Sequence, residues 1–395
     1  MYIQVPTGPT STRFAEPFES TLGQTTTGSL CATVSRETVC RLLSICSITY
    51  DPARSPTSAP YYQRADFVDS PAMLERDAPS NLVGRRKIDS CLVGTMKSNP
   101  LDPNGSGVVL AFRGTLPPGS PTSGFLDVIS DWLNDFEAPL VPFKGPFAAY
   151  TPGIVAHKGF ADSIQNLLDP SATMTSGKTV VNEIKTRLPA AGGRLYITGH
   201  SKGAALTYLA AFLLHRMGVR PCAVISFEAP RCSDQNFATQ FDSMGIYSER
   251  YEFLNDIVPH VPPAKALGQM LTTALSFDPA AQKLLSLFYP KAIQSFSYVP
   301  VGKLHYVDAG NQIIIGDSTQ LDLKRLARLV AMVAGAAKDG VVAAAKTPIP
   351  PGTQPLVALS VYFAKLLLTL KNMHAIDCKS GLMQALCKPV VSPCP

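Results

Sequence analysis

The sequence predicts an α/β fold with a mainly parallel central sheet flanked by helices. Short apolar runs without polar alternation are typical of strands that are buried on both faces. Segments with helical spacing of apolar residues separate these runs, and such alternation indicates an α/β protein. The composition agrees, because 46% of the 395 residues are hydrophobic and only 16% are charged. A disordered chain has the opposite balance, and that class is excluded.

The chain begins with a segment rich in Thr, Ser, Pro and Gly, residues 1–30, which we expect to be an irregular arm. Apolar residues at helical spacing predict a first helix over Ser35–Tyr50. Residues 51–80 contain five prolines and are expected to form loops. The first buried strand is predicted at Val108–Phe112.

Strands and helices then alternate along the chain. The later predicted strands are Arg194–Thr198, Ala223–Phe227 and Tyr251–Leu254, followed by a hairpin-like pair at Val301–Val307 and Gln312–Ile315. The later predicted helices are Asp131–Phe136, Phe160–Leu168, Val180–Leu188, Ala204–His215 and Met270–Tyr289. We expect one domain over residues 1–395, in which 31–318 form the core and 319–395 a helical elaboration.

Charge and hydropathy exclude further classes of protein. The net charge is +6 without a dense Lys/Arg cluster, so no nucleic-acid partner is expected. The most apolar stretches, Leu329–Ala345 and Pro355–Leu370, contain charged residues, so no transmembrane segment is expected. The N-terminus lacks the basic and apolar regions of a secretory signal. A cytosolic location, leaderless export and a secreted chain without its leader all stay open.

The nine cysteines include no C-x-x-C pair, so neither a zinc ribbon nor a thioredoxin-type site is expected. An odd number leaves at least one thiol free or bridged to another chain. Local pairing among the tail cysteines, Cys378, Cys387 and Cys394, is one possibility that their spacing does not decide. Metal-ligand spacings and the G-x-x-x-x-G-K phosphate motif are absent from the sequence, so no metal or cofactor is expected.

The motif that carries chemistry is Gly199-His200-Ser201-Lys202-Gly203, between a predicted strand and a predicted helix. This is the context of the G-x-S-x-G nucleophile elbow, a tight turn that lifts the serine hydroxyl above the sheet edge. The N–H groups that begin the helix then lie close to developing negative charge. Ser201 is therefore the candidate nucleophile, and an ordinary tight turn is the alternative.

A nucleophilic serine needs a histidine base and an acid that orients it, and in this fold the chain order is serine, acid, histidine. Asp256 follows a predicted strand and is the candidate acid, with a plain turn residue as the alternative and Asp234 as a weaker competitor. His305 and His374 remain as candidate bases. His305 lies in a strand-like stretch, whereas His374 begins a new turn, and loop positions more often carry function.

Five blocks, together with the elbow, resemble the class 3 lipases, the family that includes the filamentous-fungal triacylglycerol lipases. They span residues 108–265 in the family's order. The blocks are Ala111-Phe112-Arg113-Gly114-Thr115, Asp131-Trp132-Leu133-Asn134-Asp135, His157-Lys158-Gly159-Phe160, Phe227-Glu228-Ala229-Pro230-Arg231 and Asn255-Asp256-Ile257-Val258-Pro259-His260-Val261-Pro262-Pro263.

The resemblance implies an α/β-hydrolase fold with Ser201 as nucleophile and Asp256 as acid. It also implies an oxyanion hole formed by the N–H and hydroxyl of Thr115 and the N–H of Lys202. His374 resembles the family's late histidine element, so the resemblance favours it as the base. His305 resembles the strand before that element and stays the alternative.

The implied function is that of a serine carboxylic-ester hydrolase, a lipase acting on acylglycerols through an acyl-enzyme intermediate. Leu116–Ser130 occupies the position of the family's lid and combines prolines with an apolar cluster, which predicts transient contact with a lipid surface. An ordinary surface loop is the alternative for this segment. The alternatives for the whole protein are a phospholipase or a short- or medium-chain esterase, and a non-catalytic module that binds lipid or a partner.

Overall fold

A computed structural model describes residues 33–51, 59–78, 87–98, 105–115, 139–170, 177–256, 258–260, 262, 298–318, 321, 324–325, 327–328, 331, 374, 376 and 381–387. Its centre is an eight-stranded sheet. In spatial order the strands are β1 (Ala72–Ala78), β2 (Lys87–Met96), β3 (Gly107–Phe112), β6 (Leu195–His200), β7 (Ala223–Phe227), β9 (Tyr247–Phe253), β11 (Lys303–Val307) and β12 (Ile313–Ile315).

The five central strands, β3, β6, β7, β9 and β11, run parallel to one another. The strands β1 and β2 extend one edge and β12 the other, all in antiparallel pairing. Every residue of β3, β6 and β7 is buried, which is the reason these strands are continuous apolar runs. The predicted α/β class with a mainly parallel sheet is confirmed.

Helices cover both faces of this sheet. They are α1 (Arg36–Tyr50), α2 (Ala59–Ala65), α3 (Lys158–Leu168), α4 (Val180–Arg187), α5 (Lys202–Arg216), α6 (Gln235–Ser243) and α7 (Gly381–Cys387). Side chains alternate along β3, so Val108, Leu110 and Phe112 pack with α3, α4 and α5. Val109 and Ala111 point the other way and pack with α1 and α7. The sheet therefore has an apolar core on each side.

A second, smaller sheet is entirely antiparallel. Its order is β10 (Tyr298–Val299), β8 (Ser233–Asp234), β5 (Val155–His157) and β4 (Leu140–Pro142). None of these short strands was expected from the sequence. The strand β8 leads directly into α6, whose first turn is capped by the Asp234 side chain, which accepts the Phe237 N–H at 3.0 Å. The candidate acid Asp234 thus serves as a helix cap.

One expectation from the sequence is wrong, and one open possibility is decided. The stretch 51–80 was expected to form loops but holds α2 and β1, because Pro60 lies in the first turn of α2 and Pro71 precedes β1, where a proline is tolerated. The tail cysteine Cys387 does not pair locally but bridges to Cys40 on α1, across 347 residues of sequence. Cys222 is disulfide-bonded as well.

Several predictions fall on residues outside the described ranges. These are the arm 1–30, the helices Asp131–Phe136 and Met270–Tyr289, the segment Leu329–Ala345 apart from residue 331, and the segment Pro355–Leu370. The division into a core over 31–318 and an elaboration over 319–395 stays a prediction. Within the described part of the chain, no helix has the length and apolar content needed to cross a membrane.

Candidate active site

Ser201 stands at the turn between β6 and α5, in a backbone conformation that is rare for a residue with a side chain. Its φ is 58° and its ψ is −132°. The turn is held by two bonds, from the Ser201 N–H to the Phe227 carbonyl at 3.1 Å and from the Ala204 N–H to the Ser201 carbonyl at 2.8 Å. Such strain persists only where the surroundings enforce it, and it is typical of functional sites.

The two glycines of the motif are needed for close approach of backbone to backbone. A Cβ at Gly199 would stand 2.3 Å from the carbonyl oxygen of Gly203. A Cβ at Gly203 would stand 2.1 Å from the carbonyl oxygen of Phe112, the last residue of β3. The helix α5 therefore starts directly against β6 and β3, which places Ser201 at the carboxyl edge of the sheet.

The chain that carries Thr115 passes beside the nucleophile. A Cβ at Gly114 would lie 3.1 Å from the Ser201 Cβ and 2.7 Å from the His200 carbonyl oxygen. On the other side of the serine, Lys202 is the first residue of α5, a position whose N–H has no partner within the helix. Both candidate oxyanion residues thus adjoin the turn that holds Ser201, and their role stays a prediction.

Asp256 and His374 are in direct contact. Asp256 follows β9, and its Oδ2 lies 2.6 Å from His374 Nδ1. Its Oδ1 accepts the Val258 N–H at 3.0 Å, which is the turn contact considered as the alternative role. The aspartate therefore makes both contacts at once, and the turn fixes the carboxylate that faces the histidine.

The electrostatics of this pair favour a basic imidazole. Burial alone would lower the pKa of His374, but the charge of Asp256 and the hydrogen bond to it raise that pKa above its ordinary value. Both side chains are almost fully buried. A buried, hydrogen-bonded carboxylate fixes the tautomer of the imidazole and stabilises the imidazolium.

The other candidate base is engaged elsewhere. His305 lies on β11, with its Nε2 3.2 Å from Glu249 Oε1 and its ring 4.8 Å from the ring of Tyr251. The neighbouring His260 is buried, and burial together with the charge of Arg325 lowers its pKa to about 3. Of these histidines, the structure brings His374 to Asp256.

Residues 109–266 match the sequence model of the family described as Lipase (class 3). This segment of the chain is similar to the class 3 lipases, and it contains the five blocks and the elbow. The resemblance stated from the five blocks is confirmed, and with it the α/β-hydrolase class of the fold.

Individual relatives are similar over part of the chain. The lipase of Rhizopus niveus is 30% identical over 136 residues, 33% of this chain and 33% of that protein. Phospholipase A1-IIalpha of Arabidopsis thaliana is 28% identical over 174 residues, 39% of this chain and 38% of that protein. The Rhizomucor miehei lipase in a propeptide complex aligns with 18% identity and a TM-score of 0.44, covering 73% and 72% of the two chains. This chain thus spans about a third of the length of the curated relatives it matches.

The segment around His374 is tied to α1. The Cys40–Cys387 disulfide joins the start of α1 to the end of α7. Arg36 Nε donates to the Leu386 carbonyl at 2.9 Å, and Ser47 Oγ donates to the Ile376 carbonyl at 3.0 Å. These contacts fix the C-terminal segment, which lies far from Ser201 in sequence. Nothing in the cysteine spacing indicates them.

Sequence reasoning also missed three residues in the surroundings of His374, which are Tyr50, His200 and Glu228. His200 Nε2 lies 2.9 Å from the His374 carbonyl oxygen and 3.1 Å from Glu228 Oε2. His200 Nδ1 lies 2.8 Å from the Tyr50 hydroxyl. Glu228 Oε2 is also 3.3 Å from His374 Nδ1. The block Phe227–Arg231 was recognised, but the pattern itself assigned no role to Glu228.

Three of these side chains have the composition of a metal site. The ligand atoms of His200, Glu228 and His374 lie within 4.8 Å of one another. The same atoms make the hydrogen bonds given above, and a proton on His200 Nε2 is needed for its contact with the His374 carbonyl. The geometry therefore favours a hydrogen-bonded cluster over a metal site.

Proposed function

We propose that this chain is a lipase of class 3, a serine carboxylic-ester hydrolase that acts on acylglycerols. The observation that carries the proposal is the contact of 2.6 Å between His374 Nδ1 and Asp256 Oδ2, in a chain whose elbow serine has the strained backbone of a nucleophile. The match of residues 109–266 to the class 3 lipases supports the same reaction. The family match and the geometry are independent observations, and they agree.

In this proposal the Ser201 hydroxyl attacks the ester carbonyl carbon and gives its proton to His374. Asp256 holds the imidazole by its Nδ1–H and stabilises the imidazolium. The N–H groups of Thr115 and Lys202 donate to the oxygen of the tetrahedral intermediate, and loss of one such donor typically costs about 3 kcal/mol of barrier. The imidazolium then protonates the leaving alcohol, and water releases the fatty acid by the same steps.

The test compares wild type, Ser201→Ala, His374→Gln and His305→Gln on p-nitrophenyl esters. We expect Ser201→Ala and His374→Gln to lower kcat by about 10⁶-fold, the loss typical of a triad nucleophile or base. His305→Gln is the matched control and should keep the wild-type rate. A serine-reactive fluorophosphonate should label wild type and not Ser201→Ala. Hydrolysis by Ser201→Ala at the wild-type rate would refute the proposal.

A second candidate function is phospholipid hydrolysis by the same site. It is favoured by the matches to two plant proteins named as phospholipases A1, from Arabidopsis thaliana and Oryza sativa. Rates on triacylglycerol, phosphatidylcholine and short-chain esters, each divided by the Ser201→Ala background, distinguish the two and also a short- or medium-chain esterase.

The predicted lid, Leu116–Ser130, lies outside the described residues. The lipid-interface contact proposed for it is tested with one ester below and above its solubility limit. A rate that rises sharply above the limit supports the contact, since an apolar lid opens at a lipid surface. A rate that only saturates speaks against it.

A further inference from the structure

Glu228 is a buried carboxyl group beside the proposed triad. It directly follows β7, the strand that lies between the strand of the nucleophile and the strand of the acid. Its side chain is 0% exposed. Burying a carboxyl group is costly unless the group is paired, so its place in the fold calls for an explanation.

The residue is also strained and only partly satisfied. Its φ is 53°, in the left-handed region that side chains disfavour, which costs on the order of 1–3 kcal/mol. Its Oε1 is buried and has no hydrogen-bond partner among the described residues. Burial and strain of this kind lower stability, and in native structures they concentrate at functional sites.

The hydrogen bonds around Glu228 assign the protons. The pKa of His200 lies well below its usual value because the ring is buried and faces His374, so His200 is neutral. Its Nε2–H points at the His374 carbonyl, at 2.9 Å, and at Glu228 Oε2, at 3.1 Å. Its Nδ1 is then the acceptor of the Tyr50 hydroxyl. This arrangement holds Glu228 Oε2 in place next to His374.

A single atom of His374, the ring nitrogen Nδ1, consequently faces two carboxyl groups. Nδ1 lies 2.6 Å from Asp256 Oδ2 and 3.3 Å from Glu228 Oε2. The first contact is a strong, short bond and the second is a longer one. Either oxygen accepts from a nitrogen that carries one hydrogen, so the two carboxyl groups have the same partner.

We propose that Glu228 is a second positioning acid of this site, which shares the Nδ1–H of His374 with Asp256 and orients the imidazole when the Asp256 charge is removed. The proposal rests on the proposed function, because it concerns the histidine of that triad. In an ordinary triad, loss of the acid charge lowers kcat by about 10⁴-fold, since the histidine takes the wrong tautomer. Glu228 reduces that loss.

The same geometry predicts the effect of charge. Glu228 raises the pKa of His374 by its charge and its hydrogen bond, in addition to Asp256. In turn, burial and then the charge of Asp256 raise the pKa of Glu228. The groups that act on this pair from the elements around it are Asp256 and Glu252 at β9, His200 at β6 and Tyr50 at α1. Neutralising Glu228 therefore lowers the pKa of His374.

The experiment is a double-mutant cycle of Glu228→Gln and Asp256→Asn, with kcat/KM measured against pH on a soluble p-nitrophenyl ester. We expect Asp256→Asn alone to lose about 10²-fold and the double variant about 10⁴-fold, the full loss of an acid. Glu228→Gln alone should move the acidic limb of the profile to lower pH, because the active form of His374 is unprotonated. Glu249→Gln is the matched control, a buried carboxyl in contact with His305, and should leave the profile unchanged.

Two outcomes would overturn the inference. One is that Glu228→Gln has the same effect in the presence and absence of Asp256, within the roughly twofold error of additivity. The other is an acidic limb that does not move. If wild type hydrolyses the ester and Ser201→Ala does not, either outcome refutes the role of Glu228 while the proposed function stands.

A second measurement does not depend on turnover. The pKa of His374 is followed by NMR of histidine-labelled protein, in wild type, Glu228→Gln and Glu249→Gln. We expect a lower value in Glu228→Gln alone, and an unchanged value would contradict the inference even for a protein that hydrolyses no ester. Should Glu228→Gln not fold, Glu228→Gly removes the carboxyl in a residue that adopts a φ of 53° freely, and the same shift is expected.

Discussion

The elbow offers a prediction whose size follows from one distance. In Gly203→Ala the new Cβ would stand 2.1 Å from the carbonyl oxygen of Phe112, whereas real Cβ contacts are essentially never below 3.0 Å. The obstacle is the backbone at the end of β3 and not the tip of a flexible side chain. The helix α5 and β3 must therefore move apart by about 0.9 Å, the difference between these distances.

This movement reaches the proposed oxyanion hole, because Phe112 precedes Thr115 by only three residues. A misplacement of about 1 Å in an active site costs about 10²-fold in rate. Overpacking of a tight core costs a further 1–3 kcal/mol of stability, roughly. We therefore expect Gly203→Ala to fold with a lowered Tm and to lose about 10²-fold in kcat/KM on p-nitrophenyl esters.

The control is Gly310→Ala, where the nearest atom to the new Cβ is the side-chain oxygen of Asp308 at 3.3 Å. This variant should keep nearly the wild-type Tm and kcat/KM, because at this distance the exposed Asp308 side chain need shift by only a few tenths of an ångström. A Gly203→Ala variant with the Tm and the rate of the control would contradict this prediction. A variant that loses stability but keeps the wild-type rate per folded molecule would contradict it as well.

Two further predictions concern stability. Burial would raise the pKa of Glu252, but the charges of Arg325 and Arg250 lower it to about 2, so its stabilisation is complete above pH 4.5 and is lost as the pH falls toward 2. Glu252→Gln should thus lower the free energy of unfolding by about 3 kcal/mol at pH 7 and leave it almost unchanged near pH 2. Denaturant titration at both pH values measures this difference. A difference that does not depend on pH would contradict the prediction. Replacing Cys40 and Cys387 by Ala should cost about 2–5 kcal/mol and lower kcat, because the bridge holds the segment of the proposed base, and unchanged kcat would refute that link.

The sequence predicted those parts of the fold whose signal is local. The strands β3, β6 and β7 are fully buried, so their apolar runs are unmistakable. The strand β1 has the sequence Ala-Met-Leu-Glu-Arg-Asp-Ala and lies at a sheet edge, where charged residues are tolerated and no periodicity marks the strand. The antiparallel edge was missed for this reason.

Contacts between distant segments could not be predicted in the same way. The Cys40–Cys387 bridge spans 347 residues, and the spacing of nine cysteines does not select it. Glu228 follows a strand, like many polar residues, and its position becomes informative only when His200 and His374 are placed around it. Side-chain pairs of this kind depend on topology, which local patterns do not specify.

The topology explains why a second acid lies at this site. In open α/β sheets the functional groups gather at the carboxyl ends of the strands. Here Gly114 follows β3, Ser201 follows β6, Glu228 follows β7 and Asp256 follows β9, and these four strands are consecutive neighbours.

The segment of His374 comes from outside the sheet and must reach across this edge from Asp256 toward Ser201. The end of β7 lies between the ends of β6 and β9, so the residue after β7 adjoins any histidine that connects the two. A small residue there would leave the acid role to Asp256 alone. Glu228 occupies this position in a strained conformation and is hydrogen-bonded to His200, the residue before the nucleophile. It therefore brings a second carboxyl group to the Nδ1 atom of His374.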